Sequence, residues 1–458
     1  MASDTILAPA IRHVATPLLG APSDFDRLLA RIGDARFVML GEATHGTHEF
    51  YRLRAELSKR LIREKGFTAI AVEADWPDAY RINRYVRGLG TDADAAEALS
   101  EFRRFPQWMW RNADILDLVG WLREHNDHLP DPAQRVGFYG LDVYSLQASI
   151  EAVVSYLDRK DPVAARAARQ RYACFDTFGD DPHVYGAATA RGVREDCERE
   201  VIEQLLELQQ RRAELLQKDG LVAEDEQFEA EQNARVVARA EEYYRSLYLG
   251  YVSSWNLRDT HMMDTLDALA HHLGRNPARH PARHPARHGA PAKVIVWAHN
   301  SHIGDAAATH RSERGEINLG HLCRERHPHD TVLVGFTTYT GTVTAASDWG
   351  EPAERKRVRP ALPGSYEALF HHTGMRRFLL LLDELGEATG ALYEARLQRA
   401  IGVVYRPETE RASHYFHVSL PAQLDAVIHL DETRALEPLE RTALWERGEL
   451  PETFPTGL

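Results

Sequence analysis

Phe37-Val-Met-Leu-Gly-Glu-Ala-Thr-His-Gly-Thr-His-Glu-Phe50 is the stretch that decides the fold. Its first four residues are apolar without alternation, which predicts a short strand buried on both faces. Gly41 and Gly46 flank a polar loop, after which Phe50, Leu53, Leu57 and Leu61 recur at three and four residues until Gly66 follows a basic turn. That spacing predicts an amphipathic helix with a glycine cap. Buried strand, polar loop and helix, in that order, make the repeating unit of a parallel sheet covered by crossover helices.

Working outward, similar apolar runs occur at Ala69-Ile-Ala-Val72, Val136-Gly-Phe138, Val294-Ile-Val-Trp297 and Val332-Leu-Val334. Further strands are expected at Arg377 to Leu382, Gly402 to Tyr405 and Ala426 to His429. The middle of the chain differs: Arg194 to Gln217 and Phe228 to Leu249 are rich in Glu, Arg, Leu and Ala and carry no strand signal. With Lys218-Asp-Gly220 between them, they predict an inserted helical hairpin, serving either as a lid or as a structural arm. The expected fold is therefore α/β, a mostly parallel sheet flanked by helices, with that hairpin inserted. Residues 1–160 and 251–458 form the two parts of the catalytic core, and residues 161–250 form the insertion.

Composition narrows the function. Among 458 residues, 68 are acidic and 55 basic, a net charge of −13, and no basic cluster offers a polyanion a footprint. Neither a basic leader with an apolar core nor a membrane-length apolar run is present. Cys174, Cys197 and Cys323 lie far apart without a CxxC, so neither a disulfide nor a thiolate metal site is expected. A cytoplasmic protein with no nucleic-acid or membrane partner is the expectation, and the sequence sets no oligomeric state. Three of the 23 histidines, His280, His284 and His288, fall in a Pro-Ala-Arg-His repeat whose prolines prevent a helix from aligning them. That tract reads as an expanded solvent loop.

In parallel α/β sheets, sites form beyond the C-terminal ends of the strands. The first strand runs into Gly41-Glu-Ala-Thr-His45-Gly-Thr-His48-Glu49, the second into Glu73-Ala-Asp75-Trp76, the third into Gly140-Leu-Asp142, and the strand ending at Trp297 into Ala298-His-Asn-Ser-His302. Each alone fits a structural hydrogen bond. Together, at adjacent strand ends, they describe a polar crevice whose charged groups must pair, bind or react.

These residues also resemble the erythromycin esterase family: Gly41-Glu42 with His45, the strand ending in Glu73, Trp108-Met-Trp-Arg-Asn112, Trp297-Ala-His-Asn300 with His302, and the block from Pro352 to Tyr366. The resemblance runs from about Arg36 to the stretch His414 to Pro438. It implies a hydrolase with an α/β core, in a wider superfamily that includes haem-binding lipoproteins and metal-dependent proteases. It also implies that His45 is the catalytic base, and that esterase members work without a metal; only some members open macrolide rings.

The residue types support hydrolysis of a carboxylic ester or lactone by water that His45 activates, with Glu42 and Glu73 holding its tautomer or positioning the water. His299 and His302 would donate to the carbonyl oxygen or to the leaving alkoxide. Arg54, Trp76, Trp110 and Asn300 are the expected substrate contacts, and Trp108 and Tyr85 further candidates for an aromatic wall. Asn256, Arg258 and Asp259 read as non-catalytic, with an Arg–Asp pair tying their helix to the core. No G-x-S-x-G elbow, P-loop or H-E-x-x-H string is present. No cofactor is expected, although His45, His299, His302, Glu42 and Glu73 could hold a divalent metal for a metal-dependent hydrolase. A haem or small-ligand binding protein is the reading outside the enzymes.

Overall fold

The computed structural model describes residues 4–178, 181–193, 195–211, 220–248, 250–275, 292–384 and 386–448. Its strands, in chain order, are β1 (Thr16–Pro17), β2 (Phe37–Leu40), β3 (Ala69–Asp75), β4 (Gly137–Asp142), β5 (Val294–Trp297), β6 (Thr331–Ala345), β7 (Glu354–Val358), β8 (Arg377–Leu381), β9 (Arg396–Arg399), β10 (Tyr415–Val418) and β11 (Ala426–Thr433). The main sheet has the order β1-β8-β11-β6-β2-β5-β3-β4, with β7 attached to β6. From β11 to β4 the six strands form five neighbouring pairs, all parallel. The additions β8, β1 and β7 are antiparallel.

Why β2 lacks alternation is now plain. Val38 and Leu40 join Phe50, Leu57 and Leu61 of the helix His48–Lys65 on one face of the sheet. Phe37 and Met39 meet Met262, Met263 and Leu266 of the helix Tyr251–Gly274 on the other. Both faces are dry, as a parallel sheet with helices on each side requires. Gly66 closes the first of these helices in the left-handed conformation, as its position predicts.

Between β4 and the helix Tyr251–Gly274 lies a helical layer with its own core, including Val153, Tyr156, Tyr172, Tyr185, Val237 and Tyr244. The expected hairpin corresponds to Glu198–Gln210 and Gly220–Ser246, its turn at 218–219 lying outside the described residues. Three more helices precede it: Leu146–Lys160, Pro162–Tyr172 and Pro182–Ala190. The layer is therefore larger than a hairpin.

Two expectations change. Cys174 and Cys197 are joined as a disulfide, their Cα atoms 6.0 Å apart, because the chain doubles back within the helical layer. A spacing of 23 residues, which looked uninformative in sequence, thus closes a loop there. The cysteines therefore no longer support the expected cytoplasmic location. Among the described residues no helix is long and apolar enough to cross a membrane.

The strand expected at Gly402 to Tyr405 is displaced to β9, which pairs with β10 in a separate two-stranded sheet. Its arginines disguised it: Arg396 pairs with Asp4 and Arg399 with Glu410, so charged side chains sit buried on a strand. The Pro-Ala-Arg-His repeat lies outside the described residues.

Candidate active site

Four neighbouring strands, β2, β5, β3 and β4, end at one cavity of about 310 Å³. The β2 loop is fixed before any ligand arrives. Gly41 lies against the Asn300 side chain and Gly46 against the Thr344 backbone, so that a Cβ at either would overlap its neighbour. Glu42 O accepts from Asn300 N–H at 2.8 Å, Ala43 O from Ile401 N–H at 2.8 Å, and Gly46 O from both Thr344 and Leu436 N–H at 2.9 and 2.8 Å. Loop residues so tied hold the side chains they carry in one place.

His45 lines the cavity, and its Nδ1 lies 2.9 Å from Glu42 Oε1. The other Glu42 oxygen takes Arg54 Nη2 at 2.7 Å. Arg54 is fully buried and stacks on the Tyr51 and Trp297 rings, its Cζ 4.5 and 4.6 Å from their centroids. Held by Arg54 through one oxygen, Glu42 accepts Nδ1–H through the other and leaves Nε2 of His45 as the acceptor nitrogen. Among the described residues Nε2 makes no hydrogen bond.

The β3 and β5 ends supply a second cluster. Glu73 Oε2 accepts from His299 N–H at 2.8 Å, and Oε1 from Arg258 Nη2 at 2.7 Å, with His302 Nε2 at 3.3 Å. Arg258 also grips Asp142 through Nε and Nη2 at 2.9 and 2.6 Å. His302 Nδ1 lies 2.8 and 2.9 Å from the Asp259 oxygens, and the Trp255 ring stacks on its imidazole at 4.5 Å. Three carboxylates thus enclose two cations.

Burial works against every one of these charges, and the partners decide the outcome. Burial would push the Glu73 carboxyl up, but His302, Arg258 and His45 hold it well below the usual carboxylate range. Burial would likewise lower His302, yet Asp259 and Glu73 raise it to about 9. His299 moves the opposite way: burial, with His45 beside it at a ring distance of 4.8 Å, drives it well below 6.5. The two rings are thus pushed in opposite directions, and Arg258 Nη1 lies 3.0 Å from His302 Nε2. His299 Nδ1 accepts from Ser301 N–H at 3.2 Å and lies 2.8 Å from Ser301 Oγ, an N-terminal cap of the helix Asn300–Ile303.

The expected residues divide accordingly. His45, Glu73, His299, His302 and Trp110 meet at the cavity, with Glu42 directly behind His45. Arg54 does not reach the cavity; it supports Glu42 from the core. Asn300 spends its amide on the Phe336 backbone, donating to its carbonyl at 2.7 Å. Trp76 is fully buried against Tyr80, Tyr139 and Phe228 on the opposite face of the sheet. Trp108 and Tyr85 are core residues. His48 pairs with Asp114 at 2.8 Å, away from the cavity.

Arg258 and Asp259 reverse the sequence reading. Instead of pairing with each other they serve Glu73, Asp142 and His302, because successive helix positions point to different neighbours. Asn256 is structural, bridging to Gly315 and Ile317. Phe102, Phe105, Tyr144, Trp255 and Trp349 complete an aromatic wall. The signal for Arg258 was its place on a helix following the insertion, with nothing in sequence to aim it at β3.

Some of the donors a metal would need are committed, while Nε2 of His299 is buried without a hydrogen-bond partner. Both oxygens of Glu73, Nδ1 of His45 and Nδ1 of His302 are committed, and the Arg258 guanidinium already supplies positive charge between Glu73 and Asp142. Among the described residues no group of three or more His, Cys, Asp or Glu is arranged to hold one.

A family model described as erythromycin esterase matches residues 62–433. The chain belongs to the erythromycin esterase family. The matched span begins after the β2 loop, so the role of His45 is argued from its geometry and from the GExxH pattern. Among relatives, erythromycin esterase type II of Escherichia coli is 33% identical over 120 residues, which is 26% of either chain. The match thus spans about a quarter of that protein. A Bacillus subtilis (strain 168) protein, YbfO, whose name provisionally calls it a hydrolase, is 23% identical over 73% of this chain and 71% of its own.

Solved structures share the fold. A Bacillus cereus protein superposes with TM-score 0.77 at 20% identity, covering 96% of this chain and all of its own. A protein named for succinoglycan biosynthesis gives 0.75 at 22%, over 95% and 99%. An erythromycin esterase mutant in its open conformation gives 0.64 at 18%, over 93% and 99%.

Proposed function

We propose that this member of the erythromycin esterase family is a hydrolase that cleaves a carboxylic ester or lactone with water activated by His45. One observation carries the reading: Arg54, Glu42 and His45 form a buried relay whose last free nitrogen is on the cavity. Glu42 holds the imidazole in the tautomer that makes Nε2 basic, and Arg54 keeps Glu42 aimed. Nε2 removes a proton from water as the water adds to the carbonyl carbon. Negative charge then grows on the carbonyl oxygen, and the fixed Arg258 and His302 cations in the same cavity stabilise it.

His302 and His299 divide the remaining work by protonation state, an arrangement that separates acid from base among like residues. His302, charged at neutral pH, is the donor to the departing alkoxide; Glu73 and Asp259 orient it. His299 stays neutral and fills the space beside His45. The aromatic wall suits a bulky apolar substrate, and macrolide lactones belong in the assay panel alongside simple esters.

His45→Ala and Glu73→Gln are expected to lower kcat/KM by about 10²–10⁴-fold, as for a lost general base or its electrostatic partner. The measurement is turnover across esters and macrolide lactones of different ring size, with and without a chelator, on variants whose fold is verified by circular dichroism. Near wild-type kcat in either variant refutes the assignment. Loss of wild-type activity on chelation, restored by added metal, establishes the metal-dependent alternative.

A further inference from the structure

The cavity has a second charged end that the proposed hydrolysis leaves unused. Asp75 closes β3, and Asp78 follows in the first turn of the helix Trp76–Val86; both line the cavity. Asp75 is only 7% exposed. Its Oδ2 takes Arg104 Nη2 at 2.6 Å, while Oδ1 is buried without a hydrogen-bond partner. A buried carboxylate oxygen left unpaired is costly, and a ligand that donates to it removes that cost. The Asp78 carboxyl makes no hydrogen bond or ion pair among the described residues.

The charges around this end are unequal. Asp78 faces Asp75 and Glu101 on the acidic side and Arg104 and Arg103 on the basic side, while Asp75 also feels Asp142 and Arg258. Arg104 is already bound to Asp75 and lies with its Cζ 4.8 Å from the Tyr144 ring centroid. Arg258 is held by Glu73 and Asp142. Arg104 makes no hydrogen bond to Asp78, and its one hydrogen bond among the described residues, through Nη2, goes to Asp75. Burial first, and then Asp75, push the Asp78 carboxyl up to about 8, so the unliganded protein keeps a proton there at neutral pH.

We propose that the Asp75–Asp78 end of the cavity binds an organic ammonium group of the substrate. An ammonium N–H donates to Asp75 Oδ1, its charge compensates the carboxyl pair, and the aromatic side chains Phe102, Phe105 and Trp110 receive the attached carbon skeleton. The proton leaves the Asp78 O–H for solvent, the carboxylate formed pairs with the ammonium, and no other bond changes. The word substrate rests on the hydrolase reading; the binding itself does not.

The test is calorimetric titration of the full chain with phenethylammonium, and with neutral phenethyl alcohol as the control, in buffers of different ionisation enthalpy. Phenethylammonium is expected to bind more tightly than the alcohol, with a heat at pH 7 that varies with buffer as a released proton requires. Its affinity should rise about tenfold or more from pH 6 to pH 8 and then level off, because above that range the carboxylate is already formed. Asp78→Asn should abolish the buffer dependence and weaken ammonium binding about tenfold. Equal affinity for the two probes, or a buffer-independent heat in the wild type, overturns the proposal. Because no turnover is measured, an inactive esterase that still binds phenethylammonium refutes only the hydrolase reading, and a working esterase indifferent to it refutes only this one.

Discussion

Replacing Asp259 by Asn removes the carboxylate that does most to keep His302 charged, and it does so with almost no change of volume. Raising that imidazole from its ordinary 6.5 to about 9 corresponds to about 3 kcal/mol of favourable interaction with the imidazolium. Without Asp259, burial and Arg258 still oppose the charge and only Glu73 favours it, so the group is expected to titrate at about 6.5 or lower. If His302 is the acid, kcat/KM in the wild type falls on the alkaline side near pH 9, and in the variant near pH 6.5. At pH 8 the protonated fraction then drops about 30-fold, whereas at pH 5.5 the two proteins differ little.

Stability supplies an independent reading with a fixed sign. A group whose folded-state value is raised contributes fully below its unfolded value and loses that contribution as pH climbs through the folded one. Asp259→Asn should therefore destabilise by up to about 3 kcal/mol below pH 6.5, with the difference shrinking between pH 6.5 and 9. Urea unfolding at pH 5.5, 7.5 and 9.5, beside the pH–rate profile on a confirmed ester, measures both effects. An alkaline limb that stays near pH 9 in the variant, with a uniform loss of rate, would refute the assignment of His302 as a raised, protonated acid.

Two further outcomes follow from geometry alone. Reducing the Cys174–Cys197 disulfide opens a loop of 23 residues and should cost about 3 kcal/mol, concentrated in the helical layer, so hydrogen exchange should quicken in the helices Glu198–Gln210 and Gly220–Ser246 more than in β2 or β5; equal change in both would contradict a local role. Trp349, 66% exposed at the cavity with its ring 4.9 Å from Phe105, should on replacement by Ala raise KM about tenfold for bulky apolar esters while leaving acetate esters and unfolding free energy within about 0.5 kcal/mol of wild type.

What the sequence disclosed follows from how each signal is written. β2, β3, β5 and β11 were legible because a strand buried on both faces shows as an unbroken apolar run. Their C-terminal His, Glu and Asp residues were legible because sheet topology fixes where they gather. Hydrogen-bond targets were not. Arg54 looked like a ligand for substrate because a charged residue on an amphipathic helix is normally exposed, yet it is turned inward to Glu42, 12 residues back across the loop. Trp76 follows directly from Asp75, but its helix sends the indole to the other side of the sheet. Arg258 reaches Asp142 across 116 residues of chain, and no local pattern reports such a meeting. β9 and the disulfide escaped for the same reason, since partners elsewhere made buried arginines and distant cysteines acceptable.

The helical layer also sets a condition on when the site can exist. It stands in the chain between Asp142, which ends β4, and Arg258, which clasps that aspartate. During synthesis His45, Glu73 and Asp142 emerge first and must wait, their carboxylates without a counter-ion and β5 missing from between β2 and β3. The nascent sheet cannot close until residues 294–302 arrive, some 150 residues after β4. At ribosomal speeds of about 5–20 residues per second, that interval lasts about 8–30 s. A ribosome-bound chain stalled before β5 should therefore be catalytically inert and a client for chaperones, and the protein should tolerate no split in which either fragment is expected to work alone.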